Sequence, residues 1–311
     1  MAAELVAFGD ISVDVAVEIP RLPGPDEKLW VEIVGEYPGG MGANAAAAFA
    51  ALGGRAALVA SVGDDERGAR ALAELTERGV DLAAVAHLEA PTFWTLALLG
   101  ARGEKSLLQF ATPALRVPWA SVDWSILDGA LFAHTVADEG DGNLRLIAEA
   151  RQRGVMASVD IEPVALEEEM RDQLLRGVKV VFTTLAGLES LDAPPRPEDG
   201  AAWLLERGPR TVAVTLGREG CFVATSAGEA ARIPGVKVEA RDTTGAGDCF
   251  AGAFLWALSR QRSAVEAGRL ANSMAALSTT ALGSRGNLVG LAGLAGRPEL
   301  AGMDIGRWGR R

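Results

Sequence analysis

Gly245-Ala246-Gly247 and the aspartate that follows, Asp248, form the part of the chain best suited to chemistry. This small-residue turn runs directly into a helical pattern over 248–259. Residues with little or no side chain let backbone N–H groups close on an anion, and a helix start adds its partial positive charge. Such a turn can hold the charge that builds on a phosphoryl group in transit. A carboxylate beside that anion is badly placed to bind phosphate. It is well placed to take the proton of an attacking hydroxyl. A glycine turn with Asp at a helix start is also an ordinary cap. The complete run Asp242-Thr243-Thr244-Gly245-Ala246-Gly247-Asp248, ahead of a long amphipathic helix, moves the reading towards catalysis.

Around this segment, short apolar runs at 5–8, 56–62, 130–133, 155–159, 178–182 and 211–215 read as buried strands. Helical patterns at 66–78, 143–153, 166–176 and 199–207 lie between several of them. That alternation predicts an α/β fold built from βαβ units, with a mostly parallel sheet covered on both faces. Gly79, Gly154, Gly177 and Gly208 each follow the last basic residue of a helical pattern and are expected to supply left-handed caps. Two stretches break the rhythm. Residues 11–37 read as consecutive strands with Pro/Gly turns, and 92–110 as a hairpin about Gly100-Ala101-Arg102-Gly103. Antiparallel strands inserted in an α/β body often form a lid. The expected organisation is one domain over 1–311 with lid strands inserted at about 11–37 and 92–110. Pro-rich 192–197 reads as a surface loop and Arg307–Arg311 as a frayed end.

The chain has 311 residues, 49% of them hydrophobic, enough for a sizeable core without disulfides or metal. Its formal net charge of -11 argues against nucleic acid or an anionic membrane surface as a general partner. The two cysteines, Cys221 and Cys249, have no metal-ligand spacing and read as buried thiols of a reducing cytosol. No basic region or long apolar run opens the sequence, which argues against a signal peptide, and no apolar stretch reaches membrane-spanning length. A cytoplasmic protein is expected.

Asp242–Phe250 resembles the C-terminal signature of the ribokinase-like, or phosphofructokinase B, family of carbohydrate kinases, Asp-Thr-x-Gly-Ala-Gly-Asp-x-Phe. Gly39-Gly40-Met41-Gly42-Ala43-Asn44, with the Ala-rich helix 45–52 behind it, is similar to the family's N-terminal signature. Gly63-Asp64-Asp65, Gly68 and Thr215-Leu216-Gly217-Arg218-Glu219-Gly220 also resemble its pattern, in order, over 5 to about 290. The resemblance implies a three-layer α/β/α fold with a small β-strand lid. It implies an ATP-dependent kinase with Asp248 as the base and Gly245, Ala246 and Gly247 as the anion hole. Asp14, Gly40, Met41 and Asn44 would meet the acceptor, and Thr215, Gly217, Gly220 and Asn272 the nucleotide. Gly39 and Gly40 would hinge the lid. Asp242, Thr244, Ser278 and Gly283 match positions that hold a monovalent cation, usually potassium. Magnesium should accompany ATP. Lid strands of relatives often pair across a homodimer.

Two departures qualify the resemblance. Many relatives carry Asn-x-x-Glu where this chain reads Thr184-Leu185-Ala186-Gly187, and Glu189 falls on another face. Met41 replaces the lysine of ribokinases proper, which argues against ribose. Phe93, Trp94 and Gln109 could shape the acceptor pocket, and His134, Asp138 and Glu139 end a strand on the ligand-binding side. The leading reading is transfer to a hydroxyl of a sugar, sugar acid or sugar phosphate. A nucleoside kinase, with Phe93-Trp94 stacking a purine, and a non-catalytic sugar- or nucleotide-binding regulator are the alternatives.

Overall fold

A computed structural model describes residues 2–100, 105–138 and 140–308. Thirteen strands appear among them: β1 Leu5–Phe8, β2 Ser12–Ile19, β3 Ile33–Gly39, β4 Ala56–Gly63, β5 Val85–Leu88, β6 Phe93–Gly100, β7 Lys105–Phe110, β8 Phe132–Val136, β9 Met156–Ile161, β10 Val180–Thr184, β11 Thr211–Thr215, β12 Gly220–Thr225 and β13 Ala230–Pro234. The helices are α1 Met41–Ala51, α2 Glu66–Glu77, α3 Gly142–Gln152, α4 Glu168–Gly177, α5 Leu185–Ser190, α6 Pro197–Leu205, α7 Ala246–Ser259, α8 Ala264–Ser278 and α9 Leu291–Leu294.

Nine strands form one sheet in the order β13-β12-β11-β10-β9-β8-β1-β4-β5. From β11 to β5 every neighbouring pair is parallel, while β12 and β13 run antiparallel at one edge. Side chains alternate across a strand, so β1 feeds two cores: Leu5 and Ala7 face one, Val6 and Phe8 the other. Helices α1, α7 and α8 fill the first core and α3, α4 and α6 the second. The expected three-layer α/β/α body is therefore present.

Small residues set the spacing that matters most. Gly252 of α7 lies so close to α1 that a Cβ there would stand 2.2 Å from the carbonyl oxygen of Ala45. This contact brings the N-terminal ends of two buried helices side by side.

A second sheet has the order β3-β2-β6-β7. Strands β2 and β6 are parallel, while β3 and β7 pair antiparallel on the outside. The hairpin turn expected about Gly100–Gly103 lies, after Gly100, outside the described residues. Between β2 and β3 the chain carries no regular element over 20–32, so 11–37 is two strands joined by a long loop rather than a run of strands.

Several expectations need correction. Gly79, Gly154 and Gly208 have positive φ, but Gly177 does not. It is the last residue of α4, and a Cβ there would come within 2.4 Å of Ile147 Cγ2, so close helix packing explains that glycine. The tail is not frayed from 307: Trp308 is buried and stacks on Trp256 at 6.4 Å. Residues 309–311 lie outside the described part. The helix after Gly40 begins at Met41, not Ala45. Strands β5 and β13 were not legible, being short, edge-placed or half exposed, and β12, buried between β11 and β13, was not read either.

Candidate active site

All the loops that matter leave the carboxyl ends of the parallel strands. Asp10 follows β1, Glu162 follows β9, Leu185 follows β10 and Leu216 follows β11. Strand β1 has β8 on one side and β4 on the other, and such a switch of direction leaves a crevice beyond the strand ends. A cavity of about 690 Å³ opens there, with Asp14, Asn44, Gly247 and Asp248 among its walls. The smaller sheet supplies Ser12, Phe93, Thr95 and Gln109 from the opposite side. A second cavity of about 710 Å³ is walled by Gly220, Lys237, Phe250 and Asn272. The two share Thr215, Gly217, Glu219, Thr243, Ala246 and Gly247.

Gly245 caps α7 with φ 71, in the left-handed region. A Cβ at this position would also meet Ser284 Cβ at 2.5 Å and Asn44 Nδ2 at 2.8 Å, so a side chain is excluded twice over. At Gly247 a Cβ would meet nothing within 4 Å, because that face looks into the shared space. In this first turn the Ala246 N–H makes a long bond to the Thr243 carbonyl at 3.4 Å, and the N–H groups of Gly247 and Asp248 have no intrahelical carbonyl to receive them.

Asp248 is 7% exposed in the first turn of α7. Its Oδ2 accepts from Asn44 Nδ2 at 2.8 Å. Asn44 Oδ1 in turn accepts from Arg285 Nη1 at 2.9 Å and from Ser284 Oγ at 3.1 Å. The Arg285 guanidinium, itself buried, reaches the carbonyl of Gly39 at 3.2 Å and pairs with Glu74 at 2.9 Å. A chain of contacts thus runs from α2 through Arg285 and α1 to the carboxylate on α7. The resemblance makes Asn44 an acceptor ligand; both ends of its amide are bonded within the protein, though it also lines the cavity.

Burial pushes the Asp248 carboxyl well above the usual carboxylate range; the Asn44 hydrogen bond opposes this, and the charges of Asp160, Asp10 and Glu162 add to it. Asp160 is raised to about 7, by burial first and then by Glu162. Burial also raises Glu162 and Asp10, and Asp10 Oδ1 accepts from the Met41 amide at 2.8 Å. Sequence reading missed Asp10, Asp160 and Glu162. Their signal was position, since each sits at or just beyond the carboxyl end of a parallel strand.

Asp14 and Met41 line the first cavity, and Asp14 lies close beneath Gly39, where a Cβ would be 2.8 Å from its Oδ2. Gly40, with φ 103, joins β3 to α1 and leaves no space for a side chain, a Cβ falling 2.3 Å from the Asp10 carbonyl oxygen. Thr215 and Gly217 border both cavities, while Gly220 borders the second. Asn272 is not on an exposed face: it is 7% exposed, donates to the carbonyls of Ile233 and Pro234, and lines the second cavity.

Asp242, Thr244 and Gly283 are brought together, the Asp242 carboxylate accepting from the amides of Thr244 and Gly283 at 3.0 Å each. Ser278 instead turns its hydroxyl back to the Ala275 carbonyl. In place of Asn-x-x-Glu, Thr184 caps α5 by accepting from the Gly187 amide, and exposed Glu189 is not on the cavity wall. The Phe93-Trp94 pair is split: Phe93 lines the cavity, while Trp94 stacks on Phe110 at 3.8 Å with Arg67 over its ring. His134 is buried within β8 beside Ser158, and Asp138 accepts from Gly140 and Asn143; neither lines the cavity. Glu139 lies outside the described residues. Burial raises both cysteine thiols to about 12, so neither is a nucleophile.

Comparison with known proteins identifies the family and the fold. The sequence matches the pfkB family carbohydrate kinase profile over residues 2–289. It is 31% identical over 252 residues to the ATP-dependent ribose-1-phosphate kinase of Halopiger xanaduensis, covering 81% of this chain and 83% of that one. Fructokinase-1 of Oryza sativa subsp. japonica is 30% identical over 312 residues, covering 90% and 93%. Among solved structures, Arabidopsis thaliana ribokinase complexed with ribose and ATP matches with a TM-score of 0.79 and 25% identity, covering 92% of this chain and 95% of that one. The fold and site define a ribokinase-like phosphotransferase. The chain belongs to the pfkB family of carbohydrate kinases, which sets aside the non-catalytic reading.

Proposed function

We propose that this kinase moves the terminal phosphoryl group of ATP to a hydroxyl of a sugar or sugar derivative, with Asp248 as general base and the Gly245–Gly247 turn as anion hole. The observation that carries the reading is the junction of the two cavities, where Ala246 and Gly247 border both and Asp248 stands on the acceptor side. ATP would occupy the cavity walled by Gly220 and Asn272, and the acceptor the one walled by Asp14 and Asn44.

Asn44 fixes one oxygen of Asp248 and leaves the other for the acceptor hydroxyl. A carboxyl with a raised pKa is a stronger base once ionised, and the Asn44 N–H favours that ionised form. The first-turn amides of α7 face the charge that grows during transfer. The smaller sheet would act as a lid, excluding water, in one domain with the body.

Magnesium arriving with ATP supplies neutralisation of the β- and γ-phosphate oxygens. Among the described residues no group of three or more carboxylate, His or Cys side chains forms a metal cage, so the protein's part is to hold the nucleotide and to offer Glu162 on the cavity wall. Potassium would sit at the loops tied by Asp242; exchanging it for a large organic cation should lower the rate, and an unchanged rate removes it. Exposed apolar residues on the smaller sheet, among them Ile33, Leu108 and Phe110, with Trp30 fully exposed on the neighbouring loop, favour a homodimer through the lid. No helix among the described residues is long and apolar enough to cross a membrane, which fits the expected cytoplasmic location.

The test is ADP release by the purified protein with ATP, magnesium and potassium over a panel of sugars and nucleosides. Turnover of a sugar supports the reading. Ligand binding without turnover of any acceptor sinks it.

A further inference from the structure

We infer that the acceptor carries no phosphate or carboxylate, so that among sugars this kinase takes the neutral forms and rejects the already phosphorylated ones. The inference rests on the kinase reading above and narrows its substrate class. It comes from the charge inventory of the acceptor cavity. Among the described residues, five carboxylates line that cavity: Asp10, Asp14, Glu162, Glu219 and Asp248. One cation joins them, Arg232.

Arg232 is not available to an anionic acceptor. It stands on β13, half exposed, and is paired with Glu198 at 3.5 Å and at 3.4 Å with Glu219, which also borders the second cavity. The buried cation behind the site is also committed: Arg285 is held by Glu74, Asn44 and the Gly39 carbonyl and does not reach the cavity wall. A second phosphate on the acceptor would therefore enter a partly buried space of its own sign, with no guanidinium or ammonium among the described residues to receive it. Recognition of phosphate normally rests on such groups or on free backbone amides. The turn that offers free amides is the one needed for the transferred phosphoryl group.

What remains on the walls suits a neutral polyol. Ser12, Thr95 and Gln109 from the smaller sheet, with Asp14, offer donors and acceptors to hydroxyl groups. Met41, Phe93, Leu107 and Leu185 supply apolar surface for the carbon face of a ring. The chemistry of the wall thus sides with a fructokinase-like acceptor against a ribose-1-phosphate-like one, although relatives of both kinds share a similar degree of identity with this chain.

The experiment compares matched acceptors, D-fructose with fructose 1-phosphate and D-ribose with ribose 1-phosphate. Both turnover and calorimetric binding are measured, at low and at high potassium chloride. The neutral member of at least one pair should be favoured in kcat/KM by on the order of 10²-fold, the scale of unit repulsions across a few ångströms of partly wet protein. The preference should shrink as salt rises, because screening weakens repulsion. Equal or better use of a phosphorylated acceptor overturns the inference and leaves the kinase reading standing. If no acceptor is turned over, the kinase reading falls, and binding decides the inference. Tighter binding of the neutral member supports it; equal or tighter binding of the phosphorylated member, or no binding of either, overturns it.

Discussion

Asn44 donates its side-chain amide to Asp248 at 2.8 Å across 204 residues of chain. The contact exists because α1 and α7, both packed with small residues, approach closely at Ala45 and Gly252. It fixes the orientation of the proposed base and, by donating to its charged form, holds its pKa below the level that burial alone would set.

Replacing Asn44 should therefore move a pH profile as well as a rate. In Asn44→Ala the Asp248 carboxyl loses a donor and its pKa rises. The acid limb of kcat/KM should shift to higher pH, with kcat at neutral pH lower by roughly 10- to 100-fold. A rate loss with an unshifted limb would mean that Asn44 only fills space.

Asp248→Asn should abolish most turnover, by about 10²-fold or more, while making the protein more stable at neutral pH. The folded carboxyl titrates well above its ordinary value of 3.8. Between the two values the folded chain keeps a proton that the unfolded chain has lost, so stability falls as pH rises through that window. Asp160 has the same sign, its window running from 3.8 to about 7. Melting curves should show Asp248→Asn above wild type at about pH 8, with the gap closing towards about pH 3, below the window. A variant less stable than wild type at the higher pH would contradict the burial account.

The two glycines of the turn should respond in opposite ways. Gly247→Ala points a methyl into open space, so the fold should tolerate it within about 0.5 kcal/mol, yet the methyl occupies the phosphoryl path. Its kcat should fall by roughly 10²-fold, the loss typical of a disturbed anion hole. Gly245→Ala meets Ser284 and Asn44 at a positive φ and should lower the melting temperature as well. Full activity in Gly247→Ala would remove the turn from the reaction.

Asp14→Ala should raise the acceptor KM by about 10-fold or more with nucleotide affinity nearly unchanged, since Asp14 lines the first cavity and not the second. Steady-state kinetics with each substrate varied in turn provides the check. Equal weakening of both substrates would place Asp14 in the scaffold.

Local information made much of this molecule legible in advance. The apolar runs that became β1 and β11 were placed to the residue, because a buried parallel strand must be apolar on both faces. The turn proposed for catalysis was legible because its chemistry is local: glycines, a helix start and a carboxylate lie within four consecutive residues. The edge strand β13 was not, since a half-exposed strand carries a weaker pattern.

Charge surroundings and long-range partners were decided only by the tertiary structure. Asp10, Asp160, Glu162 and Asp248 are scattered in sequence and meet only because parallel strands end on one side of the sheet. Arg285 and Glu74 reach the site through Asn44, a route no spacing rule reveals. Residue types and short spacings settle what a segment can do, because backbone geometry is local. The proton affinity of a carboxylate depends on burial and on charges brought by distant segments, and the fold alone sets those.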